Sequence, residues 1–156
     1  MGLIGRVFGA IIGMPTASDR ALLDTLCLAA AADGDVSKLE LGYALEIALD
    51  LPGFERVSKK TLRGMLAERV EELQAGRAAG WLERIAASTE PGLSREQAYT
   101  LAVVIQHVDG RVTETETEFL KTLRERLGIA EARGKTILGE VARELEQAKR
   151  ANLMNG

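Results

Sequence analysis

ADGDVSKLE, residues 32–40, returns 76 residues later as VDGRVTETE, residues 108–116. Both stretches read Asp-Gly, then Val, then Ser or Thr, then Glu, at one spacing. A chain that writes one supersecondary phrase twice is constrained to a fold with two similar parts. The correspondence is wider than the phrase. At the same offset Cys27–Leu28–Ala29 falls on Val103–Val104–Ile105, Tyr43–Ala44 on Phe119–Leu120, Ile47 on Leu123 and Leu51 on Leu127. Leu62 then meets Leu138, and Met65 meets Val141. Apolar character is kept where a core needs it. The expectation is two copies of a three-helix unit, about 19–75 and 95–149, sharing one core with pseudo-two-fold symmetry.

Local patterning agrees with an all-α chain. Leu3, Ile4, Val7, Phe8, Ile11 and Ile12 follow helical spacing and give a strongly apolar first helix over about 2–13, stopped by Pro15. A second helix, about 19–33, faces Leu22, Leu23, Leu26 and Ala29–Ala30 inward. The third covers about 38–50, and Ser58 opens a fourth to about 75. Trp81, Leu82 and Ile85 mark a fifth. Ser94 and Gln97 read as a capping box for a sixth, ending near Val108. A seventh runs over about 114–127, and the stretch GIAEARG leads into a last helix with a frayed ANLMNG tail. No period-two strand stands out. The predicted architecture is a single bundle of seven to eight helices.

Composition narrows the function classes. With 46% apolar and 28% charged residues, the chain is ordinary globular material. A net charge of −3, with no basic stripe, argues against a nucleic-acid module. The single Cys27, in an apolar run, reads as a buried inert thiol and excludes an internal disulfide or Cys-rich zinc site. No apolar run approaches the ~18 residues of a transmembrane helix. The N-terminal apolar stretch imitates a signal peptide only weakly, so the expected location is cytoplasmic. That first helix is expected to pack on the bundle, with partner docking or membrane contact as the alternatives.

The repeated phrase has a plain structural reading. Asp-Gly closes one helix, Ser37 or Thr113 caps the next, and Glu40 or Glu116 completes a capping box. Capping leaves the aspartates unexplained. Asp33 and Asp109 both put a carboxylate at a helix C-terminus, against the dipole. A hard cation such as Ca²⁺ or Mg²⁺ would make use of that charge, together with the nearby hydroxyls and Glu oxygens. The phrase is not an EF-hand. Counting from Asp33 puts Lys38 where that loop needs Gly and Ala44 where it needs Glu, and counting from Asp109 meets Glu114 and Leu120.

Two such phrases, each closing an Ala/Val-rich helix in a chain of this length with an apolar N-terminal helix, resemble the tellurite-resistance TerB proteins and their relatives. The resemblance covers nearly the whole chain. It implies an all-helical bundle of two similar halves, with motif acids on a face that binds divalent metal. It also implies a non-enzymatic role in tellurite or general chemical-stress resistance, exercised through protein partners in membrane-associated assemblies at the inner face of the membrane. Carried over position by position, the implied metal residues are Asp33, Glu40, Asp109 and Glu116, with Asp35 and Glu114 as neighbours. The chain departs from the family pattern where Arg111 stands opposite Asp35 and Lys38 opposite Glu114. Leu41 and Thr117 follow the phrase where many members carry another acid.

Other residues add less. His107, the only histidine, reads as a helix-end side chain on the last carbonyls, with a ligand role as the alternative. Trp81 reads as core. There is no phosphate loop, nucleophile elbow or Cys–His pairing that would place a catalytic centre. The rival readings are a metal-assisted hydrolase or transferase using the paired carboxylates, and a ligand-free scaffold in which the phrases only cap helices.

Overall fold

The computed structural model describes residues 19–32, 38–51, 54, 57–76, 80–89, 93–107 and 112–155. The apolar helix expected over 2–13, and both Asp-Gly pairs, lie outside the described residues. Among the described residues there are seven helices and no strand. They are α1 (Asp19–Ala30), α2 (Lys38–Leu49), α3 (Lys59–Gln74), α4 (Trp81–Ser88), α5 (Leu93–His107), α6 (Glu114–Arg126) and α7 (Glu131–Asn155).

α1 and α5 form the centre of the bundle. Their contact is the most extensive between any two of these helices, and the others are laid around them. Every residue from Gln97 to Gln106 is buried, as is nearly every residue from Ala21 to Ala30. Over these spans the two helices are therefore enclosed on nearly all sides, where the sequence indicated one inward face for the helix that begins at 19. A helix surrounded by neighbours has no solvent side to reserve for charge. Alanines at 21, 29, 30, 98 and 102 suit such a central position, because small side chains let other helices approach from several directions. Polar side chains inside are tied locally. Thr25 Oγ1 donates to the Ala21 carbonyl at 2.7 Å, and Thr100 Oγ1 to the Glu96 carbonyl at 2.7 Å.

The outer helices each bury one stripe. Leu62, Leu66 and Val70 face inward from α3, and Leu120 and Leu123 from α6. Ile137, Val141 and Leu145 do so from α7, at intervals of four along one ridge. Trp81 and Ile85 bury α4 between α1 and α6. All seven helices feed one contiguous core.

Helix ends follow the sequence closely in some places and not in others. Ser58 caps α3, accepting from the Thr61 N–H. Gly128, at φ +71°, closes α6 by letting the Ile129 N–H return to the Arg124 carbonyl at 3.1 Å. α5 begins at Leu93, one residue ahead of the expected Ser94 cap. α7 is longer than expected at both ends. It starts inside the GIAEARG stretch, at Glu131, and continues to Asn155 through the tail read as frayed. Gly134, inside this helix, is buried under the Arg124 side chain.

Candidate functional site

The two phrases leave from neighbouring helix ends. Gln106 Nε2, near the end of α5, donates to the Ala29 carbonyl near the end of α1 at 3.3 Å. This side chain is 2% exposed, and its Oε1 has no hydrogen-bond partner among the described residues. A buried amide oxygen left unpaired is uncommon and costs about 1–3 kcal/mol.

Of the four predicted metal residues, Asp33 and Asp109 lie outside the described residues. Glu40 falls in the first turn of α2, where only the backbone is described. Glu116 has its side chain in place, in a capping role. Thr113 Oγ1 accepts from the Glu116 N–H, and Glu116 Oε1 accepts from the Thr113 N–H, each at 3.1 Å. This is the reciprocal box expected from the sequence. Among the described residues no group of three or more His, Cys, Asp or Glu side chains is placed to hold a metal.

His107 closes α5 as expected. Its Nδ1 lies 2.8 Å from the Val103 carbonyl. A carbonyl only accepts, so Nδ1 is the donor in this contact. His107 also lines a groove of about 580 Å³ bounded by α5, α6 and α7. Tyr99, Val112, Leu120 and Leu138 supply apolar lining. Lys121 and Lys135 add positive charge, and Glu125 and Glu131 negative charge. Arg124 is held there by the Ile129 carbonyl, 2.8 Å from Nη1. Burial pushes the Tyr99 hydroxyl above its ordinary pKa, and nearby Arg124 opposes that shift in part. Val112 is the one exposed large apolar residue among those described, and it belongs to the second phrase. The groove has the volume and mixed lining of a binding cleft.

A second constellation went unnoticed in the sequence. Asp24, in the middle of α1, is buried and meets Arg69 Nε at 2.7 Å and Arg84 Nε at 3.4 Å. The Arg84 guanidinium also lies over the Trp81 ring, 4.8 Å from its centroid. The signal was present as an acid within the apolar run LLDTLCLAA, since a buried carboxylate requires a partner. Cys27, one turn on, is buried, and burial pushes its thiol up to about 12. It is the inert thiol expected.

Neither a protein-family model, nor a curated protein, nor a solved structure matches this chain.

Proposed function

We propose that this protein is a non-enzymatic binding module of the TerB-like kind, built from two similar three-helix halves. Its two Asp-Gly phrases form one acidic face at one end of the bundle. That face takes a hard divalent cation, Ca²⁺ or Mg²⁺, through Asp33, Glu40, Asp109 and Glu116, and with it engages a protein partner in a chemical-stress response.

The observation that carries this reading is the Gln106–Ala29 hydrogen bond, which joins the ends of α1 and α5. Asp33 follows Ala29 by four residues and Asp109 follows Gln106 by three, so the covalent chain ties both aspartates to that end. The unpaired Gln106 Oε1 adds a neutral oxygen of the type such cations accept. The two-half reading draws support from the packing. α1 pairs with α5, α1 touches α6, and α2 touches α5, as exchange of equivalent helices requires. The partner surface is the groove beside the second phrase, where Val112 and His107 meet the lining from α6 and α7.

Thermal unfolding of chelator-stripped protein, with and without Ca²⁺ or Mg²⁺, tests the cation. At a hundredfold excess over Kd the fold gains ~2.7 kcal/mol. That raises Tm by roughly 5–11 °C for a chain of this size. The rise is expected to vanish in Asp33→Asn/Asp109→Asn. An unchanged Tm at millimolar metal would overturn the metal-bearing face and leave the phrases as helix caps.

A further inference from the structure

We infer a second binding site, for a phosphate-type oxyanion, in the small pocket where α1, α3 and α4 meet around Asp24. It is independent of the acidic face and of the groove, and shares no residue with either. The pocket holds about 200 Å³ and is lined by Arg20, Asp24, Glu68, Arg69, Glu72, Trp81 and Arg84.

Three guanidiniums, one from each helix, border this space, and a single buried carboxylate holds two of them. The recorded approach of each to Asp24 is through Nε. Arg69 directs Nη1 to the Met65 carbonyl at 3.3 Å, which leaves its Nη2 without a described partner. Neither Nη of Arg84 nor the fork of exposed Arg20 donates a hydrogen bond to another described residue. Glu68 and Glu72 also line the pocket, and neither is ion-paired with any of the three. With Asp24, Glu68 and Glu72 all counted, the lining is balanced in charge, so the case for an anion rests on the guanidinium N–H groups that Asp24 leaves unused, above all on half-buried Arg69. A phosphate carries about −1.5 to −2 at neutral pH and three acceptor oxygens. Donors converging from three helices suit that tetrahedral group better than a planar carboxylate, which one fork satisfies. The Asp24–Arg69 pair fixes one fork in place before the anion arrives, and stacking on Trp81 fixes a second, which lowers the ordering cost of binding.

Calorimetric titration of the full chain at constant ionic strength tests this, with inorganic phosphate and O-phosphoserine as probes and acetate as the control. Saturable one-to-one binding of a phosphate probe is expected. Tighter binding of O-phosphoserine would assign the site to a phosphoryl group on a larger ligand, and tighter binding of inorganic phosphate to the free ion. Arg20→Gln and Arg84→Gln, both at exposed side chains, are each expected to weaken binding roughly tenfold. Lys149→Gln, at an exposed position of α7 outside both the pocket and the groove, removes the same charge and should leave it unchanged. Glu68→Gln/Glu72→Gln should strengthen binding by removing the rim repulsion, a gain that a purely structural role for the arginines would not produce. Absence of saturable binding in the millimolar range would overturn the site. So would equal binding by the Arg20→Gln/Arg84→Gln protein, once its unfolding profile shows that it is folded.

Discussion

Arg69 Nε lies 2.7 Å from Asp24 Oδ1, joining α3 to α1 across 45 residues of chain through two side chains largely removed from water. Asp24→Ala leaves Arg69 facing the core without its counter-charge and is expected to cost about 3–5 kcal/mol. Asp24→Leu/Arg69→Met, which removes both charges and keeps volume, should cost much less than either single change. Urea unfolding of the three proteins checks this. Additive losses would show that the pair is not coupled.

The Thr113–Glu116 capping box separates capping from charge. Thr113→Ala is expected to lose about 1 kcal/mol, the usual worth of an N-cap. Glu116→Gln keeps a residue that completes the box and should stay close to the parent in denaturant midpoint. If Glu116 also binds a cation, Glu116→Gln alone loses the metal-dependent rise in Tm.

Two glycines of α7 predict opposite signs. A Cβ at Gly139 meets nothing within 4 Å, so Gly139→Ala should gain about 0.5–1 kcal/mol from helix propensity. A Cβ at Gly134 would stand 2.6 Å from Arg124 Cδ. Gly134→Ala therefore displaces the arginine from the Ile129 carbonyl, and a net loss is expected in thermal unfolding. In an Arg124→Ala background the same change should turn favourable.

The buried thiol makes alkaline stability pH-dependent. Cys27 titrates near 9 when unfolded and near 12 when folded. Above the lower value the unfolded chain has released a proton that the native chain keeps. Its contribution is whole below about pH 9 and falls as the pH rises towards 12. Denaturant titrations across that window should show a downward slope that is shallower in Cys27→Ala. Tyr99, also raised by burial, adds to the remainder. Native Cys27 should resist alkylation at pH 8 and react on unfolding.

Most of the helices were legible because periodicity and punctuation agreed. Ser58, Thr113 and Glu116 act where the sequence puts them. The ends of α7 were harder to read, because Gly134 looks like a breaker until its role beneath Arg124 is known. The sequence also understated how deeply α1 and α5 are enclosed. Asp24 breaks the apolar run of α1, and only the tertiary fold brings Arg69 and Arg84 to it. The groove was invisible for a similar reason: Tyr99, Leu120 and Leu138 come from three helices and share no local pattern. Motif reading found the phrases, since their spacing is contiguous, and missed the clusters assembled from distant segments.

The α1–α5 centre also bears on how the chain is made. α1 emerges from the ribosome 76 residues before its counterpart in α5, and the side of it that packs on α5 has to wait for that partner. At bacterial or eukaryotic elongation rates the delay is roughly 4–15 s. During synthesis the N-terminal half therefore presents a sticky helix that its own neighbours α2, α3 and α4 cover only in part. Cooperative folding arrives late, once α5 slots into the middle. A nascent chain stalled before residue 93 would keep that side of α1 uncovered.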